Sequence, residues 1–220
     1  MDIVKIGKRL EIGEEIELKV IAGGRVFRMM CSPNDLEELL IGFSISEGLS
    51  ENPEVYVEGD VGVIENVKET ILSINSSGCI GIYVDENIGR VFPKRKFKID
   101  QVLASLRVIE TELYKRTRAY HTAAVINEKI YCSYDVGRHN AVDKAIGKAY
   151  KNGVDFSESY LVLSGRITKG IALKCVRAGI PLVVSKAAIL NSAIEVCEKS
   201  GLSAVSLASG IAVNNGAIDL

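Results

Sequence analysis

Tyr134-Asp135-Val136-Gly137-Arg138-His139-Asn140-Ala141-Val142-Asp143-Lys144 sets six polar or charged side chains and a glycine between two apolar segments. The alternating run Ile130 to Tyr134 before it reads as a strand, and Ala141, Val142, Ala145, Ile146 and Ala149 after it recur at helical spacing. The polar cluster therefore falls on a strand-to-helix turn. In an open α/β sheet such turns lie at the carboxyl ends of strands, where a helix start presents unpaired N–H groups to an anion. Gly137 permits the bend, Arg138 can grip a phosphate with its planar fork, and His139 and Asp143 lie four apart on one helical face. The same spacing also fits a capped helix carrying a structural Asp–Arg pair.

With 220 residues, 47% of them hydrophobic and 25% charged, the chain can bury a substantial core. A formal net charge of −1 and a pI near 6.2 give no electrostatic case for a nucleic-acid or membrane partner. No run approaches the ~18 apolar residues of a membrane span. The opening residues alternate Lys5, Lys8 and Arg9 with Glu11, Glu14 and Glu15, which is unlike a signal peptide. Cys31, Cys79, Cys132, Cys175 and Cys197 are scattered without a close pair, which argues against a disulfide framework or zinc knuckle and predicts a reducing, cytoplasmic setting.

Along the chain, Glu17 to Ile21, Gly23-Gly24 and Val26 to Met30 predict a hairpin. Ser32, Pro33 and Asp35 predict an N-cap, first helical position and capping box for a helix burying Leu36, Leu39, Leu40 and Phe43. Glu47, an acid near that helix's C-terminus, is either solvated or specifically employed. Val61 to Val67, Thr70 to Ile74 and Ile80 to Val84 read as strands of a small β-rich lobe. Within it, Asn75-Ser76-Ser77-Gly78-Cys79-Ile80-Gly81 leaves Cys79 among small residues whose hydroxyls and loop N–H groups can stabilise a thiolate below the ordinary value of ~8.5. A free cysteine is also well suited to a small buried apolar site.

Ile99 to Tyr114 predicts one helix capped near Asp100, and Thr117 to Ile126 and Ile130 to Tyr134 two strands. The two histidines of the chain, His121 and His139, then lie toward the same end of the sheet. From Ser157 onward, short apolar strands alternate with amphipathic helices, the pattern of a sheet covered on both faces with a substantial parallel part. The exits Ser164-Gly165-Arg166 and Ser185-Lys186 each put a hydroxyl and a cation at a strand's carboxyl end. With Arg138 they ring one crevice suited to an anionic, phosphate-bearing ligand. Ser209 to Gly216 forms a small-residue tail that either closes over a ligand or frays. The expected organisation is α/β: a β-rich lobe over 1–98, with one helix and the Cys79 loop, and an α/β domain over 99–220.

Cys31-Ser32-Pro33, Asp35 to Leu39, Ile41-Gly42-Phe43, Ser46-Glu47-Gly48 and Asp135 to Lys144 resemble the motifs of the FdhD family of formate dehydrogenase accessory proteins. So do Ser164-Gly165-Arg166 and the run Lys174 to Pro181. The resemblance implies a three-layer, cytidine-deaminase-like C-terminal domain, a β-containing N-terminal lobe and a homodimer. It also implies a sulfur carrier or sulfurtransferase that takes sulfur from a cysteine desulfurase onto a Cys79 persulfide. The sulfur then passes to the molybdenum or tungsten cofactor, bis-molybdopterin guanine dinucleotide, bound as client on its way to formate dehydrogenase. Arg138, His139, Ser164, Arg166, Ser185, Lys186 and His121 would contact that cofactor, together with Ala208 and Gly210, which match the family's tail motif.

Departures accompany the match. Ile82 stands where the family carries a second loop cysteine, so a resolving thiol is missing. Two tail arginines are absent from Leu207 to Ala212, Gly170 replaces a usual glutamate, and Ile189-Leu190 replaces a Pro-Thr pair. These departures favour the alternative of a non-catalytic molybdenum-cofactor or nucleotide-binding chaperone. A metal hydrolase built on His121, Asp135 and His139 is a third reading. A zinc deaminase is excluded, because Thr122-Ala123 follows His121 where His-x-Glu is needed and no Pro-Cys-x-x-Cys follows.

Overall fold

The computed structural model describes residues 6–7, 10–68, 73–76, 80–83 and 88–220, with 73–76 and 80–83 as backbone. The expected hairpin is present as β1 (Ile16–Ala22) and β2 (Arg25–Cys31). Gly23 and Gly24 close it at φ 55° and 72°, the left-handed geometry that a two-residue turn between twisted strands requires. After α1 (Leu36–Ser46) come β3 (Glu54–Glu58) and β4 (Val61–Glu65), giving a four-stranded sheet of order β2-β1-β4-β3. Leu18, Val20, Phe27, Met29 and Ile64 on its inner face pack against Leu39, Leu40 and Phe43 of α1. β3 is an addition to the expected strands: its alternation leaves Tyr56 exposed and two valines half-buried, too few apolar residues for a strong signal. β5 (Ser73–Ser76) and β6 (Ile80–Tyr83) pair antiparallel, and the expected Cys79 site between them lies outside the described residues.

The predicted cap of α1 is corrected. The helix starts at Leu36, preceded by Asp35 in left-handed conformation (φ 51°), and no side chain caps it. Ser32 Oγ instead accepts the Val136 N–H at 3.1 Å, and the Asp35 carboxylate accepts from Ser133 Oγ at 2.6 Å and pairs with Lys148 at 2.7 Å. The residues that would cap the helix locally bind the opposite half of the chain.

The second half opens with β7 (Phe97–Lys98), α2 (Ile99–Ser105), a 3-10 turn over Leu106–Ile109 and α3 (Glu112–Thr117). The single helix expected from Ile99 to Tyr114 is thus broken. Ser105 Oγ bonds back to the Val102 carbonyl at 2.6 Å, and Thr111, extended, caps α3 by accepting the Tyr114 N–H at 3.2 Å. Hydroxyls that compete with the backbone in this way end and restart helices. There follow β8 (His121–Ile126), β9 (Ile130–Asp135), α4 (Arg138–Lys151), β10 (Tyr160–Leu163), α5 (Lys169–Ala178), β11 (Leu182–Ser185), α6 (Asn191–Ser200), β12 (Ser203–Ser206), β13 (Ile211–Val213) and β14 (Ile218–Asp219).

Six of these strands form one sheet of order β13-β12-β11-β10-β8-β9. β10, β11 and β12 run parallel and every one of their residues is buried, as the continuous apolar runs require, while β8, β9 and β13 join antiparallel. One face packs on α4, α5, α6 and on Ile41 and Ile45 of α1, and the other on Phe97, Val102, Leu106, Ile109 and Ile218. The tail neither frays nor lies free as a lid: β13 pairs with β12, β14 pairs with β7, and the Asn215 side chain donates to the Leu202 and Cys197 carbonyls.

α1 also joins the second unit's helical layer. A Cβ on Gly42 would lie 1.7 Å from the Asp143 carbonyl oxygen, and one on Gly147 would lie 2.0 Å from that of Glu38. Two glycines therefore let α1 and α4 touch backbone to backbone. This contact fixes the first lobe against the start of α4, where the polar motif sits.

Candidate functional site

The motif that opens α4 divides into a structural half and a half-buried one. Asp135, fully buried, accepts from the backbone N–H of Ser32 (2.9 Å) and Gly137 (2.8 Å), from Asn140 Nδ2 (3.0 Å), and from Lys144 Nζ (2.6 Å). Lys144, equally buried, also donates to the Ser32 carbonyl at 3.0 Å. Gly137 has φ −94°, so its role is room rather than a left-handed bend: a Cβ there would meet Asn140 Nδ2 at 3.0 Å. One turn further on, Asp143 accepts from Lys174 Nζ at 2.8 and 2.9 Å and from Ser46 Oγ at 2.6 Å. Lys174 reaches Glu47 as well, at 2.6 Å, and Arg177 holds that carboxylate's other oxygen at 3.1 Å. Burial pulls the Lys174 ammonium down, but Asp143 and Glu47 outweigh it and hold its pKa above the ordinary lysine value. Glu47 therefore has a specific task, and the structural pairing in the motif is Asp–Lys, twice, rather than Asp–Arg.

The half-buried part meets the strand exits. His121 opens β8 opposite Asp135 of β9, and its Nδ1 lies 3.4 Å from Ser164 Oγ, which accepts the Thr122 N–H at 3.0 Å. Gly165 lies under Arg138, whose Cβ and Cδ would be 3.2 Å from a Cβ placed there, and Gly170 lies under His139 Nε2 at 3.1 Å. His121, Arg138, His139 and Ser164 are thus gathered at the sheet edge where β10 ends. Arg138 Nε and His139 Nδ1 are buried there without a hydrogen-bond partner. Unsatisfied buried polar atoms are costly and call for a partner such as a water or a polar ligand group.

The remaining expected contacts differ in kind. Ser185 is buried, donates to the Gly165 carbonyl at 2.6 Å and accepts the Ala187 N–H at 2.9 Å, so it braces the loop after β10. Lys186 is half-exposed and pairs with Glu110. Arg166, Ala208 and Gly210 are exposed; the turn holding the last two is fastened to the same edge by Leu207 N–H to Ser185 O (2.9 Å) and Ala208 N–H to Lys186 O (3.2 Å). A cavity of about 580 Å³ opens beside them, lined in part by Tyr114, Lys115, Arg118, Tyr120, Ser164 and Lys186. Four of these, Tyr114, Lys115, Arg118 and Tyr120, escape sequence reasoning; the available signal was the tyrosine- and cation-rich run ending α3.

Burial, with the charges of Lys174 and Arg138, drives the His139 imidazole down to about 3, and burial with Arg138 lowers His121. Both rings are neutral at pH 7 and able to accept as well as donate. A group whose folded pKa lies below its unfolded one withdraws stability as pH falls through the unfolded value, here from ~6.5 downward. With two histidines in the chain, ring NMR is expected to show His139 still neutral at pH 5; a midpoint near 6.5 for both rings would contradict this environment.

Among the four described cysteines, burial raises every thiol: Cys31 and Cys197 to about 11, Cys175 further, and Cys132 in the same direction. None is suited to act as a thiolate nucleophile. Among the described residues no group of three His, Cys, Asp or Glu side chains is placed to hold a metal, and Asp135 is committed to four donors, which removes it from the set of His121, Asp135 and His139. Among the described residues, too, no helix is long and apolar enough to cross a membrane.

Comparison with known proteins agrees with this architecture. Residues 13–214 match the model of the FdhD/NarQ family. The protein named Sulfur carrier protein FdhD from Methanothermobacter thermautotrophicus is 31% identical over 214 residues, covering 91% of this chain and 86% of its own. The Thermoplasma volcanium protein of the same name is 32% identical over 218 residues, covering 84% and 77%. A crystal structure of a protein described as a formate dehydrogenase accessory protein from Desulfotalea psychrophila superposes with a TM-score of 0.72 at 22% identity, over 89% of this chain and 84% of that one, and so shares the fold. A match running from the first hairpin to the tail, and taking in both buried Asp–Lys systems, places this chain in the FdhD/NarQ family.

Proposed function

We propose that this chain is a sulfur carrier serving formate dehydrogenase maturation, working in the cytoplasm as a homodimer. The observation that carries the reading is the family match over residues 13–214 with relatives named sulfur carrier protein FdhD. The thiol chemistry supports it: four cysteines are held protonated, which leaves Cys79 as the sulfur-bearing residue. The strand order, with β8 and β9 flanking the parallel β10, β11 and β12, supports a cytidine-deaminase-like arrangement of the second domain.

The loading step needs one thiolate. Cys79 attacks the terminal sulfur of a persulfide on a cysteine desulfurase, the donor's S–S bond breaks, the donor departs as a thiolate, and a new S–S bond forms on Cys79, with no net oxidation. The client, bis-molybdopterin guanine dinucleotide with molybdenum or tungsten, is rich in phosphate, and the residues fit such a group. Arg138 Nε is an unpartnered donor, His139 Nδ1 an unpartnered ring nitrogen, Ser164 offers a hydroxyl beside them, and Arg166 stands exposed at the same edge. Bound there, the phosphates would supply the missing hydrogen-bond partners. A cofactor chaperone without sulfur chemistry is the second reading, favoured by Ile82 in place of a second loop cysteine. Expression in a host lacking its own FdhD is expected to restore formate dehydrogenase activity; folded protein that restores none would end the proposal.

A further inference from the structure

A second cavity, of about 560 Å³, opens at the opposite end of α4 and α5 from the histidine cluster. α4 starts at that cluster with Arg138 and His139 and runs 14 residues, about 20 Å at ~1.5 Å per residue, so that Tyr150 near its end and Val154 just beyond it reach the cavity. α5 follows the same course: Gly170 in its first turn lies under His139, and Ala178 and Gly179 at its end line the cavity. Ile45, Val154, Phe156 and Ala178 give it an apolar lining. Lys68 and Arg177 line it too, each balanced by a carboxylate, Glu51 and Glu47.

The chain that carries Cys79 has both of its roots at this end. It leaves from Lys68, which lines the cavity and whose backbone N–H donates to the Leu49 carbonyl at 2.8 Å. It rejoins at Ile88, packed on the main core, and at Gly89, where a Cβ would lie 3.8 Å from Val176 Cγ1. Three positions on stands Phe92, 72% exposed on a backbone pinned at both sides, by Val91 N–H to Ser200 O (2.9 Å) and Lys94 N–H to Ser157 O (3.1 Å). A single exposed apolar side chain is ordinary, but an aromatic ring on fixed backbone loses little conformational freedom on binding, as interface anchors do. Around it Arg90, Lys94, Arg95, Lys96 and Lys98 are exposed, and the stretch from 90 to 98 holds no acid. Among the described residues, Lys94 is the one of these five in an ion pair. Its partner at 2.7 Å, Asp155, lines the cavity, so ring, cations and cavity make one continuous surface.

We infer that this surface docks the sulfur donor, a protein that presents an acidic patch around an apolar socket for Phe92 and an apolar side chain of its own to the cavity. Opposite charges steer and select such a partner, and a donor held here stands at the base of the segment bearing Cys79. The inference rests on the sulfur-carrier reading in taking a cysteine desulfurase as that donor.

Biolayer interferometry with purified cysteine desulfurase of the same organism, run beside persulfide loading of Cys79, tests it. Phe92→Ala is expected to weaken desulfurase binding by at least about tenfold, and Phe92→Tyr to retain it. Arg95→Glu with Lys96→Glu should weaken it by a similar factor at low salt and by less at high salt. Tyr56→Ala, which removes an exposed tyrosine of the other sheet, should change nothing. Glutathione persulfide is a small donor that needs no docking surface: the Cys79 thiolate takes its terminal sulfur and glutathione leaves as a thiolate, so Phe92→Ala should load from it as the wild type does. Circular dichroism establishes that each variant folds. Desulfurase binding unmoved by Phe92→Ala, no binding to the wild type, or equal loss of loading from both donors would each overturn the assignment. So would Phe92-dependent binding to phosphatidylglycerol vesicles in place of the desulfurase. If neither donor loads wild-type Cys79 while desulfurase binding still depends on Phe92, the docking surface stands and the sulfur-carrier reading fails.

Discussion

Lys174→Met is expected to destabilise the protein by about 3–5 kcal/mol, the cost of leaving buried charges without their partner. Lys174 is almost wholly enclosed and joins Asp143, Glu47 and Ser46 at 2.6–2.9 Å. Without its ammonium, Arg177 still neutralises Glu47, but Asp143 keeps only the Ser46 hydroxyl. Domains of this size are stable by ~5–15 kcal/mol, so the change takes a large share of the total. The unfolded fraction should rise by roughly one hundred- to a few thousandfold, at tenfold per 1.4 kcal/mol. Urea unfolding of both proteins measures it. A second variant, Lys174→Met with Asp143→Leu, is expected to recover part of the loss, because replacing both members of a buried pair by apolar groups is far less costly than removing one. A loss under about 1 kcal/mol for the single variant would mean that this ion-pair system does not hold the first lobe against α4 and α5.

Cys79→Ala is expected to abolish formate dehydrogenase maturation while leaving the fold intact. The reason is chemical: burial holds the described thiols Cys31, Cys132, Cys175 and Cys197 above the ordinary cysteine value, and a thiol kept protonated cannot attack a donor persulfide at a useful rate. No other cysteine remains to take over the step. Activity of the client enzyme in cells carrying the variant as their sole copy should fall to the level of cells with none. Maturation at the wild-type level would shift the proposal to the chaperone reading, in which cofactor binding alone serves the client.

Much of the second domain was legible because its code is local. Continuous apolar runs such as Tyr160 to Leu163 and Ile180 to Val184, short and bounded by turn residues, read as strands buried on both faces, and the glycines at 23 and 24 fix a hairpin. The convergence of Arg138, His139, Ser164 and His121 followed from the same reasoning, since strand exits of one sheet share an edge. Part of what stayed hidden was set by partners far away in sequence. Ser32 and Asp35 have the composition of a cap, yet they bind residues about one hundred positions on, at Val136 and Ser133. Ser185 carries a hydroxyl at a strand exit like a ligand contact, but its neighbour is a backbone carbonyl, and spacing along one strand cannot reveal that. The helix break at Glu110 depends on Ser105 and Thr111 choosing backbone partners, a competition that an apolar periodicity over Ile99 to Tyr114 does not register. Tyr114 of α3 and Arg118 just after it line the cavity beside the strand exits, a neighbourhood set by the tertiary fold.

The central claim is that sulfur resides on Cys79. Intact-protein and peptide mass spectrometry after incubation with a cysteine desulfurase and cysteine tests it most directly. One added sulfur, about 32 Da and removable by reductant, is predicted on the peptide containing Cys79 and on no other. A protein that stays unmodified under conditions where the desulfurase is itself charged, or that carries the added sulfur on Cys31, Cys132, Cys175 or Cys197, would contradict the account.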